Sequence, residues 1–428
     1  MRLGRSLSAV FFFLLASSLS EGAFELKGVY GGSDKLTGDV LPKTIAIGVG
    51  DVDRDGVFET TDTLTMDDLN PRHLFYLSHR PINKIIHVKI DTNLLDRRDG
   101  MAQANYSYDL KNGWISFRYI YDESNTVEVH YETSRDVDVF AGNNDGIGGQ
   151  SPALYRKGSG LNYTFEELTS YAFDVNDVAV GDVNKDGHLD YLLATNSFPI
   201  LGYNDGSGDI GSVVNFTGTP PSSYVELVDY DSDGDLDLYV SPSAAQRIVP
   251  TSGDADWGII ENYGDGSFQL TMNSGINFWG TPTQIKMGDM DGDGDLDLVK
   301  IKQNGGPGIS VHQAIISTGP FLHTAWHSRV IRGYTEPGFG WAFFDMDSFE
   351  MNSISPKYIA MDEDYIYISE TSSHRIQKRR LDNYDLVRQV SNGQGGNLNQ
   401  FDHPHGIAVD NDYVYVADRN NNRVHRRF

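Results

Sequence analysis

The sequence predicts an all-β chain, and three observations carry that reading. Short alternating apolar segments such as Val178-Ala-Val180, Val225-Glu-Leu227, Ile285-Lys-Met287 and Leu236-Asp-Leu-Tyr-Val240 recur along it, each bounded by turn residues. Its 45 glycines against 15 prolines imply many tight turns within an ordered chain. An acidic nine-residue loop also repeats between pairs of these segments, so the architecture is a repeat one.

The chain opens with a candidate signal peptide over residues 1–23. Arg2 and Arg5 supply the positive flank, Ala9 to Ala16 the apolar stretch, and Ser18 and Ser20 small residues near a cleavage point. About eight apolar residues are too few to span a bilayer. No later stretch is long and apolar enough either, so secretion without membrane insertion is expected. Sequons at Asn105, Asn162 and Asn215 suit surface loops of a secreted glycoprotein. The chain has no cysteine, so disulfides cannot staple it and another cross-link is to be looked for.

The net charge of −26 excludes generic binding to nucleic acid or anionic membranes. The excess acid lies upstream of Ser353, since the remainder carries ten basic and ten acidic residues. Such an excess destabilises a compact state unless cations neutralise it.

The loop is complete four times, at Asp51–Glu59, Asp182–Asp190, Asp229–Asp237 and Asp289–Asp297. Positions 1, 3, 5 and 9 offer side-chain oxygens: Asp51, Asp53, Asp55 and Glu59; Asp182, Asn184, Asp186 and Asp190; Asp229, Asp231, Asp233 and Asp237; Asp289, Asp291, Asp293 and Asp297. Position 7 (Val57, His188, Asp235, Asp295) would add a backbone carbonyl. Glycine at position 6 permits a sharp turn, and the apolar residue at position 8 pins the loop to a core. Ca2+ takes six to eight hard oxygen ligands, which this spacing supplies, whereas Mg2+ keeps its waters and rarely fills an all-protein cage. An EF-hand would need a Glu at position 12 and a following helix. Here strands follow, so the loop joins two strands of one hairpin.

That combination resembles the FG-GAP family, also called VCBS repeats, over roughly residues 40–345. The resemblance implies a β-propeller of the integrin α-subunit kind, with structural Ca2+ in the acidic loops and partners taken by loops at one end. Glu261-Asn-Tyr-Gly-Asp-Gly-Ser-Phe268 and, more weakly, Asn204-Asp-Gly-Ser-Gly208 look like that family's Asn/Gly-rich hairpin. His130–Asp138 reads as a degenerate loop that should hold no metal, and Asp345-Met-Asp347 as a broken one.

The repeat type changes after residue 352. Pro356–Arg375 and Pro404–Arg423 match at an offset of 48, pairing Asp362 with Asp410, Glu370 with Asp418 and Arg375 with Arg423. The second copy resembles an NHL repeat, also a propeller blade; in the first, Tyr358 replaces its glycine. The domains expected are thus acidic-loop blades over 24–352 and NHL-type blades over 353–428. Together they form one propeller of about seven four-stranded blades, sealed when the strand near Thr44–Ile47 pairs with the last blade.

Catalytic signatures are missing: no Gly-X-Ser-X-Gly elbow, phosphate-binding loop or His-Glu-X-X-His motif occurs. His323, His327, His403 and His405 lack evident partner ligands, so no zinc is expected there. The large aromatics, Trp114 among them, are expected mainly in the core. The sequence therefore points to a calcium-binding recognition or adhesion module for an extracellular protein or glycan. The alternative is an extracellular carbohydrate-active enzyme such as a polysaccharide lyase.

Overall fold

The computed structural model describes residues 26–31, most of 44–271, strand segments between 284 and 349, and nearly all of 356–427. The candidate signal peptide and the sequons at Asn105 and Asn162 lie outside these residues, as do His323 and His327. Asn215 is exposed.

The chain starts with β1 (Leu26–Gly31) and β2 (Thr44–Gly50). It then leaves on an excursion of seven strands: β3 (Val57–Thr65), β4 (Leu74–Tyr76), β5 (Ile82–Ile90), β6 (Asn93–Leu94), β7 (Tyr106–Asp109), β8 (Trp114–Phe117) and β9 (Thr126–Ser134). These make two small sheets, β3-β9-β5-β6 and β4-β8-β7, with their own core around Ile82, Ile115, Val129 and Tyr131. Trp114 is buried among them, as a large aromatic should be.

The chain returns through β10 (Asp138–Asn143), β11 (Ala153–Lys157) and β12 (Tyr163–Glu167), and β2-β10-β11-β12 is the first blade. Two regular blades follow. The second is β13 (Val175–Gly181), β14 (Asp190–Thr195), β15 (Ile200–Asn204) and β16 (Ile210–Asn215); the third is β17 (Ser222–Val228), β18 (Asp237–Pro242), β19 (Gly258–Asn262) and β20 (Phe268–Thr271). The fourth is β21 (Ile285–Gly288), β22 (Asp297–Lys302) and β23 (Gly308–His312). A two-stranded sheet, β24 (Ile331–Arg332) with β25 (Trp341–Ala342), precedes its outer strand β26 (Asp347–Phe349). The fifth is β27 (Pro356–Met361), β28 (Tyr365–Glu370), β29 (Arg375–Arg380) and β30 (Leu386–Val390). The sixth joins β31 (Pro404–Val409), β32 (Val414–Asp418) and β33 (Arg423–Arg427) to β1.

Every blade is an antiparallel meander whose first strand lies innermost. β2 packs between β31 and β13, β13 against β17, β27 against β31, and β21 against β27. The third and fourth blades are joined by a buried ion pair between Lys286 and Glu226. Inner strands such as β2, β10 and β31 are buried along their whole length because neighbouring blades cover both faces, whereas the outer β16 is largely exposed.

The propeller is thus as expected, but its ring holds six blades among the described residues. The seventh four-stranded sheet is β3-β9-β5-β6, which lies in the excursion and not in the ring. Asp347 likewise starts no blade; it opens the outer strand of the fourth. Closure also differs. β2 pairs with β10, and Ile47 and Val49 meet Tyr415, Ala417 and Val424 of the last blade through side chains alone. The hydrogen-bonded seal is β1 on β33, with Leu26 opposite Arg427 and Tyr30 opposite Val424. A ring closed this way leaves no open blade edge at the seam.

Gly406 explains how close that seam is. A Cβ there would stand 2.6 Å from the Ile45 carbonyl oxygen and 2.9 Å from the Ala46 Cα, so only glycine lets β31 approach β2. In the first NHL copy Tyr358 takes this position. Its ring meets Tyr224 edge-on at 5.4 Å, and its hydroxyl donates to the Asn176 carbonyl at 2.8 Å.

Candidate metal centres

The second, third and fourth acidic loops join the first and second strands of their blades, and the first begins where β2 ends, so all start at one end of the ring. The second loop is described in full. Asp182 closes it on itself, one oxygen accepting the Asp186 N–H at 3.1 Å and the other the Gly187 N–H at 2.9 Å. Asn184 accepts the same Asp186 N–H, and Asp186 accepts the His188 N–H at 2.8 Å. The left-handed turn falls at Lys185 (φ 60°) and Gly187 (φ 89°), where the expected glycine stands. Asp190 is fully buried and holds two backbone N–H groups, Val183 at 2.9 Å and Asn204 at 3.0 Å. Burial pushes Asp182 up to about 6 and Asp190 up to about 7, and in each case a neighbouring carboxylate adds to the rise. A loop that raises several carboxylates together disfavours its own charged form until a cation arrives.

The first loop departs from the sequence expectation at position 9. The ninth residue of each regular loop opens the second strand opposite the end of the first: Asp190 faces Gly181, Asp237 faces Val228 and Asp297 faces Gly288. In the first blade that place belongs to Asp138, which faces Gly50. Asp138 also repeats the hydrogen bonds of Asp190, accepting the Val52 N–H at 3.0 Å and the Lys157 N–H at 2.7 Å. Glu59 and Val57 have been carried off on β3, opposite Glu132 and Ser134, and the exposed Glu59 carboxylate pairs with His130 at 3.1 Å. The excursion therefore splits the loop, which is completed from residues far downstream. Asp138, the last residue of the segment read as a degenerate loop, thus takes the position that Asp190, Asp237 and Asp297 hold in the other blades.

Oxygens of Asp51, Asp53 and Asp138 all lie within 4.8 Å of one another. Asp51 is 1% exposed, and neither of its oxygens has a hydrogen-bond partner of normal geometry. Burial lifts its pKa to about 6, with Asp53 and Asp55 adding to the rise and Ser134 and the Arg54 backbone opposing it. Burial, then the Asp53 charge, pushes Asp138 up to about 8. Buried carboxylates this close together are costly, and Asp51 adds oxygens left without such a partner. The donors are all hard oxygens, which suits Ca2+. Two arginines brace the rim: Arg54 pairs with Glu132 at 2.7 Å and reaches the Gly187 carbonyl, while Arg156 links Asp53, Glu166 and Asp209.

In the third loop Asp235 and Asp237 are buried, with Asp237 accepting the Asn262 N–H at 2.8 Å and Lys185 of the neighbouring loop pairing with Asp235. Asp229, Asp231 and Asp233 lie outside the described residues, as do Asp289, Asp291, Asp293 and Asp295 of the fourth loop. Asp297 opens β22.

Sequence reasoning missed the use of the Asn/Gly-rich hairpins. Asn204 donates to the Val52 carbonyl of the preceding loop at 2.8 Å and to its own loop at Leu189 at 3.1 Å. Asn262 repeats this on Val183 at 3.0 Å and Leu236 at 3.2 Å. Each asparagine thus clamps one acidic loop to the next, and the matching Asn-X-Gly strings were its sequence signal.

The NHL-type blades fix their hairpins with internal ion pairs. Asp418, fully buried, accepts Arg423 at 2.8 Å and lies 3.0 Å from His425, and Arg423 also donates to the carbonyls of Gly396, Asn397 and Gln400. Arg375 pairs with Glu370 in the first copy. His405 is buried against Tyr358, and burial lowers its pKa to about 3.

Comparison with known proteins finds two repeat families. The model of the FG-GAP-like repeat matches residues 182–240, spanning the second and third loops, and that of the NHL repeat matches residues 401–426. No curated protein matches the chain in sequence. Among solved structures, the Cps50 (Swd1) β-propeller domain of Myceliophteria thermophila aligns at 9% identity and a TM-score of 0.44, covering 68% of this chain and 92% of that one. A chain of a nidogen/laminin complex aligns at 10% and 0.38, covering 63% and 83%. Streptogramin B lyase aligns at 11% and 0.36, covering 68% and 89%.

Proposed function

We propose that this propeller is a secreted, Ca2+-stiffened recognition module that binds an extracellular protein or glycan. One observation carries the reading: Asp51, Asp53 and Asp138 bring carboxylate oxygens within 4.8 Å of one another, with Asp51 and Asp138 buried, and burial likewise raises Asp182 and Asp190 in the second loop. Carboxylates so placed repel one another and raise their own pKa values, and a hard divalent cation removes both costs. The Asn204 and Asn262 clamps would pass that stiffening from blade to blade, giving the ring's end loops a fixed surface on which to take a partner. The Arg2-flanked apolar leader and the lack of cysteine suit an extracellular protein held together by metal.

The test is a binding screen against arrays of glycans and cell-surface proteins, run with millimolar calcium and again with chelator. Saturable binding of an intact ligand that vanishes on chelation is expected. Calcium-dependent cleavage of a polysaccharide, with products released, would replace the recognition module by the carbohydrate-active enzyme. No ligand retained in either condition would overturn the reading.

A further inference from the structure

The opposite end of the ring carries a second kind of cluster. His374 sits in the turn between β28 and β29 of the fifth blade, at the left-handed residue (φ 51°) that ends the 3-10 turn Thr371–Ser373. Asp402 and His403 (φ 56°) lead into β31 of the sixth blade. Turns between second and third strands, and entries into first strands, lie at the end away from the acidic loops. One nitrogen of each imidazole and one carboxylate oxygen lie within 4.8 Å of one another. Asp402 Oδ1 is 2.6 Å from His403 Nδ1 and 3.6 Å from His374 Nδ1. The imidazole rings stand edge to face, 4.6 Å apart and at 89°, so their nitrogens converge without the rings stacking.

Several polar groups crowd these three side chains. His374 Nδ1 accepts the His403 backbone N–H at 3.2 Å, so it is the unprotonated nitrogen, and a cation would take its one lone pair in place of that N–H. His403 Nδ1 has the Asn420 side-chain amide N at 2.8 Å, which asks it for a lone pair, and the Asp402 oxygen at 2.6 Å, which asks it for a proton. Gln394 and Asn420 already donate to that same Asp402 oxygen. Two imidazole nitrogens and a carboxylate oxygen facing one point are a donor set of borderline softness. Zinc holds such ligands at about 2.0–2.1 Å in a tetrahedron, which places the donors roughly 3.3 Å apart. The observed 2.6 and 3.6 Å bracket that spacing. Calcium, which prefers six or more oxygens, fits poorly.

We propose that His374, Asp402 and His403 form a site for a borderline-soft divalent cation, zinc by preference, that ties the fifth blade to the sixth. The ion would do in this cysteine-free chain what a disulfide does elsewhere, next to the seam where β1 closes on β33. The sequence concealed the site because its third ligand comes from the preceding repeat, at the position matched by Asn422 in the last one. The side chains are 18%, 23% and 36% exposed for His374, Asp402 and His403, so an ion can enter and a fourth position stays open to water.

The test uses the full chain, freed of metal by dialysis, reloaded with calcium and titrated with zinc chloride by calorimetry. One zinc per chain is expected, together with a raised melting temperature and, with cobalt substituted, the visible absorption of a tetrahedral ion. His374→Gln and His403→Gln, on different blades, should each weaken zinc binding at least about tenfold. His130→Ala on the inserted sheet should leave it unchanged. Circular dichroism and retained calcium binding certify that each variant has folded. Absence of stoichiometric zinc binding, or binding that survives in both glutamine variants, would overturn the proposal.

Discussion

Asp138 in the first blade and Asp418 in the last are both buried carboxylates beside a strand end, yet they are neutralised differently. Asp418 carries its counter-charge within the chain: Arg423 pairs with it, and His425, Asn421 and the Asp402 N–H complete its shell as hydrogen-bond partners. Asp138 accepts two backbone N–H groups, faces Asp51 and Asp53, and is pushed up to about 8. Both kinds of blade are the same four-stranded meander. The NHL-type hairpin closes with a residue it owns, whereas the acidic hairpin is left short of positive charge. Blade geometry therefore does not fix how a blade is held; the charges at its turns do.

The comparison breaks most visibly when the cation is removed. With calcium at ten times its dissociation constant, each site adds about 1.4 kcal/mol. Four sites then lower the melting temperature on chelation by roughly 6 °C, at about 1 °C per kcal/mol for a chain this large. Calorimetric scans with and without chelator read this directly, and an unchanged transition would refute calcium as the missing charge. Next in size is Arg423→Ala, which strands the buried Asp418. Such a loss costs about 3–5 kcal/mol and should be the same with or without calcium, as urea unfolding in both conditions would report. A calcium-dependent loss would mean that the two regions share one charge network.

A smaller effect separates the residues at position 9. Asp138→Ala should cost one bound calcium and the roughly 1.4 kcal/mol that goes with it, whereas Glu59→Ala should leave the stoichiometry intact. The reverse outcome would restore the loop as the sequence spells it. Smallest is the pH signature of the calcium-free protein, where the two regions pull in opposite directions. Asp51, Asp182, Asp190 and Asp138 have folded pKa values of about 6 to about 8, above the ordinary 3.8. Their contribution to stability is full below about 3.8 and lost as pH rises through 6 to 8. Burial lowers His405 to about 3 and His425 to about 4 from 6.5, so their contribution is present above 6.5 and lost as pH falls toward those values. Asp410, raised by burial to about 6, follows the carboxylates and offsets part of the histidine effect. Calcium should abolish the loss on the alkaline side and leave the acid side in place. Unfolding midpoints from pH 4 to 8, with and without calcium, check the sign.

Much of this was legible in the sequence because it is local. The glycine of the second loop and the strands after the second and third loops are set within a few residues, and they stand where the spacing placed them. What escaped depends on contacts between distant segments. Asp138 joins Asp51 across the whole excursion, and the nearer Glu59 satisfies the spacing rule without occupying the place. The closing strand β1 lies in a stretch with no repeat signature, and its role arises only when β33 presents a free edge. Among the described residues the ring holds six blades where about seven were expected, because strands β3–β9 form an added lobe that single-sequence periodicity cannot tell from a blade.

The most direct test of the central claim is hydrogen–deuterium exchange with calcium and with chelator, read blade by blade. The account predicts that chelation strips protection from residues 44–52, 138–143, 175–195 and 222–242, while 404–409, 414–418 and 423–427 keep most of theirs, because the last blade carries its own counter-charges. Equal loss across both regions, or none in either, would contradict it.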